Sequence, residues 1–168
     1  MRTLTFTILA VIALLFMSAS STGPNELEFA LYPPTTELRL FPGEHGTVTF
    51  YLESAAWMTP PRVDLVASLV DWRIEKNGTV RYVNPGTWED SAAAWTSYNP
   101  GAMTLVAGGM ERMRVTIRVP MRAEPGVYRA GVLIEPMHAS SRNVSGYAGK
   151  FTRVFRITVR VLHEPVTD

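Results

Sequence analysis

Residues 112–119 read RMRVTIRV, and this segment indicates the class of fold most clearly. Its apolar residues, Met113, Val115, Ile117 and Val119, occupy every second position and alternate with arginine and threonine. A period of two places the apolar side chains on one face of an extended chain, whereas a helix would scatter them around its axis. The stretch therefore predicts a β-strand with one buried face and one arginine-rich face.

The same alternation recurs along most of the chain. The clearest further case is near the C-terminus, where Phe155, Ile157, Val159 and Val161 alternate with arginine and threonine. Pro-Gly and Asn-Gly pairs, which are typical of turns, separate several of the other runs. Those runs lie at residues 27–32, 38–40, 48–52, 63–75, 79–83, 102–106 and 127–135. We therefore predict an all-β fold, an immunoglobulin-like sandwich of seven to nine strands, with room for a helical turn only at residues 89–94.

The composition excludes several classes of protein. The chain has 168 residues and no cysteine, which excludes a disulfide framework, a thiolate zinc site and a cysteine nucleophile. Sixteen basic and fifteen acidic residues give a formal net charge of +1, so the molecule as a whole has no field that attracts nucleic acid.

The N-terminus has the order of a secretory signal. Met1 and Arg2 are followed by an apolar run that includes ILAVIALLF at residues 8–16, and then by small residues at 18–21. The run is shorter than the about 20 residues that a membrane-spanning helix needs. We predict a signal peptide at residues 1–20, cleavage near Ser20, one domain at residues 21–168, and a periplasmic or secreted location.

The sequence offers little catalytic chemistry. His45, His138 and His163 are far apart, and none forms a metal-binding pair. Glu89 and Asp90 are adjacent, so on an extended chain their carboxylates point apart and a shared acid–base role is not expected. We predict a protein that is not an enzyme, with no catalytic residue, no metal, no cofactor, and neither nucleic acid nor a small-molecule substrate as its partner.

The tryptophans divide into two pairs. Trp72 and Trp95 lie in strand-like stretches, where we expect buried rings, while Trp57 and Trp88 lie near turn residues, where we expect partial exposure. If Trp57 and Trp88 share a face, they would form a contact patch. The alternative is a carbohydrate-stacking surface made of all four tryptophans and Tyr98. Residues 138–150 (HASSRNVSGYAGK) are polar and predict a long loop before the last strand.

In the order of its motifs the chain resembles one known family. The motifs are LRLFPGE at 38–44, VTFYLES at 48–54, VDL at 63–65 with DW at 71–72, AWT at 94–96, RVTIRVP at 114–120 and PGVYR at 125–129. They resemble the N-terminal domain of the PapD-like periplasmic pilus-assembly chaperones, and the resemblance covers about residues 27–164. It implies a PapD-like immunoglobulin fold and a protein partner, such as a pilus or surface-structure subunit.

The resemblance also implies a binding mode. In that family the closing strand lends alternate apolar side chains to a subunit that lacks a strand of its own, and strand addition of this kind gains affinity from main-chain hydrogen bonds. The corresponding residues would be Phe155, Ile157, Val159 and Val161. The alternative is that these four side chains fill the core of the sandwich, as those of any closing strand must.

A second site is implied for a carboxylate. The family uses one basic residue on the first strand and one on the last to hold the C-terminal carboxylate of a subunit, and arginine suits this role. The candidates here are Arg39, Arg156 and Arg160. The family has two domains with the carboxylate bound between them, whereas we expect one domain in this chain. A structural or adhesive module of the cell envelope is therefore the alternative to a chaperone or accessory protein.

Overall fold

The structure is a computed structural model that describes residues 29–137 and 152–163. The predicted signal peptide and the predicted loop at residues 138–150 lie outside these ranges. No helix within them is long and apolar enough to cross a membrane.

Ten β-strands make up most of the described residues. They are β1 (Phe29–Tyr32), β2 (Thr35–Leu40), β3 (His45–Ser54), β4 (Arg62–Ile74), β5 (Val80–Val83), β6 (Thr96–Asn99), β7 (Ala102–Val106), β8 (Met110–Arg118), β9 (Gly126–Pro136) and β10 (Arg153–Val161). Before β6 there is one turn of 3-10 helix at Ala93–Trp95, which overlaps the predicted helical turn.

The strands form a two-layer sandwich. In the four-stranded sheet the order is β1-β3-β8-β6. In the six-stranded sheet the order is β2-β10-β9-β4, and the long β4 pairs on its far side with β7 along its first half and β5 along its second. The predicted all-β, immunoglobulin-like sandwich is confirmed. The strand that the sequence did not predict is β6, because its sequence TSYN is short and polar.

The two sheets meet through the side chains that the alternation selected. Met113, Val115 and Ile117 of β8 are fully buried, and Phe50 of β3 stacks on Phe155 of β10 with ring centroids 4.3 Å apart. The apolar period of two along each strand therefore builds one continuous core between the layers.

The first strand of the sandwich is divided between the two sheets. β1 pairs antiparallel with β3, whereas β2, three residues further on, pairs parallel with β10. The chain changes layers at Pro33 and Pro34, which have no backbone N–H and cannot continue a hydrogen-bonded ladder. Because of this change of layers, β2 lies beside β10 only from Arg156 onward.

Candidate partner-binding edge at the last strand

The four apolar side chains of β10 that were predicted to contact a partner lie inside the sandwich. Phe155, Ile157 and Val159 are 0% exposed and Val161 is 3% exposed. β10 is also not an edge strand along most of its length, because it lies between β9 and β2. The structure thus gives these side chains the core role that the sequence left open as the alternative, and their contact with a partner stays a prediction that the burial does not support.

The beginning of β10 has a neighbouring strand on one side only, as far as the described part of the chain goes. β9 accompanies it from Arg153 to Val161, whereas the register with β2 begins at Arg156, opposite Thr35. Because β1 has moved to the other sheet, no strand among residues 29–137 and 152–163 lies beside Arg153–Phe155 on the β2 side. This short open segment is a candidate site for an added strand.

The direction of the backbone groups identifies the free atoms. The N–H of Arg156 donates to the carbonyl oxygen of Pro34 at 3.1 Å, so Arg156 faces β2. Residues two apart on a strand have their N–H and C=O groups on the same side. Those of Val154 therefore point to the same side as β2, but at a position that β2 does not reach. Pro34 cannot donate to the Val154 carbonyl, since proline has no N–H.

The outer surface beside this segment is packed around Trp72. The indole N–H donates to the backbone oxygen of Ala130 at 2.9 Å, and the guanidinium carbons of Arg156 and Arg129 lie 5.5 and 5.8 Å from the ring centroid. Gly131 lies beside the ring, and a Cβ at this position would come within 2.9 Å of Val70 and 3.0 Å of Val154, so a larger residue would crowd these two valines. Trp72 is buried as predicted, although it lies on the outer face of the sheet and not between the layers.

Arg156 takes no part in a carboxylate site with the other two candidate arginines. Its guanidinium covers Trp72, and it lies beside Tyr82, whose phenol has its pKa raised by burial, an effect that the charge of Arg156 opposes. The cation therefore contributes to packing and to the local field on this surface.

Arg39 and Arg160 are brought together, as a shared carboxylate site requires. They lie opposite each other in the parallel register of β2 and β10. Both guanidinium groups donate to one carboxylate oxygen of Glu37, at 3.0 Å from Arg39 Nε and 3.3 Å from Arg160 Nε. The hydrogen bond from Arg39, followed by that from Arg160, lowers the pKa of Glu37. The carboxylate that these arginines hold in this structure is thus the chain's own.

A buried carboxylate that the sequence did not single out fixes the segment after β5. Asp71 is 1% exposed and accepts hydrogen bonds from the backbone N–H of Thr87 at 2.9 Å and the hydroxyl of Ser91 at 2.5 Å. Asp90, considered above with Glu89, forms an ion pair with Arg129. These contacts hold the segment against the six-stranded sheet, so the acidic residues have structural partners.

Trp57 and Trp88 do not form a common patch. Trp57 is 75% exposed and lies in the turn before Arg62, at the start of β4. Trp88 is half-buried, with the guanidinium carbon of Arg73 4.1 Å above its ring, near the end of the same strand. Because the 13 residues of β4 span roughly 40 Å, the two rings are at opposite ends of the molecule.

The histidines considered as metal ligands or catalytic residues lie on different elements or outside the described residues. His45 is on β3, His163 follows β10, and His138 lies outside the described residues. Within residues 29–137 and 152–163, no three histidine, aspartate or glutamate side chains are grouped closely enough to hold a metal ion.

Comparison with known proteins supports the fold. No family model and no curated protein matches the sequence. Among solved structures, PapD-like domain 7 of human CEP192 is 16% identical, with a TM-score of 0.53, over 85% of this chain and 90% of that one. A family 123 glycoside hydrolase from Clostridium perfringens is 12% identical, with a TM-score of 0.51, over 78% of this chain and 23% of that one.

The fimbrial chaperones are less similar. The periplasmic chaperone SfaE is 11% identical, with a TM-score of 0.47, over 81% of this chain and 59% of that one. At that TM-score the likeness carries no argument about function. The similarity to the human domain is of fold, and on that level the chain has a PapD-like fold.

Proposed function

We propose that this chain is an exported, non-enzymatic PapD-like domain that binds another envelope protein by strand addition at the start of β10. The observation that carries the proposal is the open edge at Arg153–Phe155, where the first strand has moved to the other sheet. The signal-like N-terminus supports export, and the structure-forming roles of Asp71 and Asp90 support a function without catalysis.

The open segment offers what an added strand needs. The N–H and C=O of Val154 form one donor–acceptor pair on the open side, and an incoming extended segment would hydrogen-bond to them in the plane of the six-stranded sheet. Its side chains would alternate between the edge of the core near Phe29, whose ring lies 5.4 Å from the Arg153 guanidinium, and the outer surface near Trp72. Main-chain bonds would thus give affinity, and these two surfaces would give selectivity.

The other described sheet edges are less suited to a partner strand. Length does not set them apart, since β1, β5 and β6 have four residues each, β7 has five, and the open segment of β10 has three. The open segment of β10 differs because β2 already accompanies the rest of that strand, so an added segment would continue an existing row of the sheet. The outer edge of β2 carries the ion-paired Glu37 and Arg39, and charges on an edge strand oppose pairing with another chain.

Phe155, Ile157, Val159 and Val161 have a supporting role in this proposal. They hold β10 in the core, so that the free backbone groups of Val154 stay in a fixed position. A partner could contact their side chains only by opening the sandwich, because they are 0–3% exposed.

A structural or adhesive module is the second candidate function. It is favoured by the internal ion pairs of Arg39 and Arg160, which leave those two arginines occupied. The exposed Trp57 in the turn before β4 would then be the contact residue.

The experiment compares Val154→Pro with Val154→Thr in the full chain, tagged and purified from the periplasm. Proline removes the N–H that faces the open side but no bond to β9, since Val154 faces away from that strand, whereas threonine keeps the N–H and the β-branched shape. We expect proline to reduce the co-purified partner at least tenfold and threonine to reduce it less than twofold. Both variants should unfold within about 5 °C of the wild type.

Two outcomes would overturn strand addition at this edge. One is equal recovery of the partner with both variants, and the other is the absence of any partner from the wild type. If the proline variant does not fold, hydrogen exchange of the Val154 amide in the wild-type complex decides instead. Protection of this amide by the partner supports the proposal, and unchanged exchange contradicts it.

A further inference from the structure

The outer face of the four-stranded sheet carries three arginines on one strand. Arg112, Arg114 and Arg118 of β8 are exposed because they alternate with Met113, Val115 and Ile117, which point into the core. None of the three forms an ion pair with any residue in the described ranges. We call this surface, with its neighbours on β1, β3 and β6, the arginine face.

The other described arginines have partners, with the exception of Arg122 in the turn after β8. Five form ion pairs, namely Arg39, Arg62, Arg81, Arg129 and Arg160. Three more lie over aromatic rings, namely Arg73, Arg153 and Arg156. Described arginines that contact neither a carboxylate nor an aromatic ring are thus concentrated on one face, which makes this face different from the rest of the described surface.

The strand registers show what surrounds these arginines. Tyr32 of β1, Tyr51 of β3 and Arg112 form one row across the sheet. The next row contains Thr49, Arg114 and Asn99, and the row after that Thr47, Thr116 and Ser97.

A shallow cavity of about 460 Å³ lies on this face, over β3, β8 and β6. Arg112, Arg114, Asn99, Thr49 and Thr116 are among the residues that line it. The guanidinium, amide and hydroxyl groups on this lining are all hydrogen-bond donors.

The charge of the arginine face is one-sided. Among the described residues of this face, three guanidinium groups are accompanied by one carboxylate, that of Glu53, which lies at one end in register with Met110. The whole chain has a formal charge of only +1, so its acidic residues lie mostly elsewhere. A local excess of positive charge attracts an anionic ligand even where the net charge is small.

We infer that the arginine face docks an acidic, extended segment of a protein partner. Arginine, tyrosine and methionine are enriched in protein–protein interfaces and lysine is depleted, and this face has Arg112, Arg114, Tyr51 and Met110 without a lysine. Residues two apart on a strand repeat at roughly 7 Å, which is also the repeat of carboxylates on alternate residues of an extended peptide. Arg112 and Arg114 therefore match two successive carboxylates of such a segment.

This site is independent of the edge at β10. It lies on the outer face of the other sheet, and it requires side-chain contacts where the edge requires main-chain hydrogen bonds. The variant Val154→Pro should therefore leave binding at the arginine face unchanged, which separates the failure of one proposal from the failure of the other.

The test measures binding of poly-L-glutamate to the full chain by calorimetry at low salt. The variant is Arg112→Gln with Arg114→Gln. The matched control is Arg62→Gln with Arg81→Gln, which removes the same charge from the six-stranded sheet. We expect the first pair to weaken binding at least tenfold and the control less than twofold, and we expect Tyr51→Ala to weaken it about threefold through loss of packing.

Several results would overturn the inference. Equal weakening by the two double variants would show that only net charge matters, and no binding of poly-L-glutamate to the wild type would show that the face is not an acceptor of acidic chains. Dextran sulfate serves as a second probe. If it binds as tightly as poly-L-glutamate and Tyr51→Ala changes neither, the face is a general polyanion surface and not a docking site for a peptide.

Discussion

At the scale of single residues, the clearest lesson is the carboxylate shared by Arg39 and Arg160. The two arginines are 121 positions apart in the sequence and meet because β2 and β10 run in parallel register. A basic pair that holds one carboxylate would need this proximity, and the binding of a partner's carboxylate by the two arginines stays a prediction. The presence of Glu37 between them means that an external carboxylate would have to compete with an internal one.

This arrangement predicts how Glu37→Gln changes stability with pH. Because the arginines lower the pKa of Glu37 in the folded state, its ionised form stabilises the fold at pH values above the ordinary glutamate pKa of about 4.3. That contribution is lost as the pH falls through the lowered pKa. Urea unfolding at a series of pH values should therefore show the wild type more stable than the variant near pH 7, and the difference should vanish in acid.

The control for this measurement is Glu124→Gln, at a glutamate that forms no ion pair with the described residues. A difference between wild type and Glu37→Gln that is constant from pH 7 to the acid range would contradict the assignment. In that case the glutamine would be acting through something other than the charge of residue 37.

At the scale of elements, β10 is an interior strand with one open end. Its apolar side chains belong to the same core cluster as those of β3 and β8. A substitution of these side chains is therefore expected to change the stability of the fold directly, and the binding of a partner only through that change in stability.

We predict that Ile157→Ala lowers the free energy of unfolding by about 2–5 kcal/mol, since it leaves a cavity at a fully buried position. Thr158→Ala, at the half-buried neighbouring position, should cost less than about 1 kcal/mol. Urea unfolding measures both. A stable Ile157→Ala variant that nevertheless loses its partner would contradict the core role and restore a direct role in binding.

The sequence predicted the positions of the strands better than it predicted which strands pair with one another. Alternation along β8 and β10 is a local signal, and it identified their buried faces correctly. The pairing of β2 with β10 and the change of layers at Pro33 and Pro34 depend on contacts between distant segments, which no local period contains. The open end of β10 follows from that pairing, so the candidate edge could not be found from the pattern alone.

The same distinction applies to the residues of the site. The alternation of β8 predicted three outward arginines, but only the sheet order places Tyr51 and Asn99 beside them. In the sequence Asp71 is an ordinary polar residue within a predicted strand, and its burial depends on a segment that folds back from 16 residues later.

At the scale of the whole molecule, the two proposed binding surfaces belong to different sheets. The edge at β10 lies in the plane of the six-stranded sheet, and the arginine face covers the outside of the four-stranded one. A partner at one surface would leave the other accessible, so the domain has the geometry to connect two proteins.

The N-terminal sequence predicts that the protein is exported. Expressed in a Gram-negative host, the wild type should be recovered from the periplasm with a mass that lacks about the first 20 residues. Ile12→Arg places a charge in the apolar run and should leave an unprocessed chain in the cytoplasm, whereas Thr5→Ser should be processed normally. Full-length protein in the periplasm would contradict cleavage, and processing of Ile12→Arg would contradict a signal peptide.

The parallel pairing of β2 with β10 also has a mechanical consequence. Tension applied to the two ends of the chain would pull β2 from the Thr35 end and β10 from the Val161 end, in opposite directions along their shared ladder. The evenly spaced hydrogen bonds of a parallel pair would then bear the load together, in shear, and would not open one after another like a zipper. Because β1 precedes β2 in the chain, the β1–β3 pair is loaded first, and the parallel ladder bears the pull once that pair has separated. The domain is therefore built to transmit a pull along its own chain before it yields.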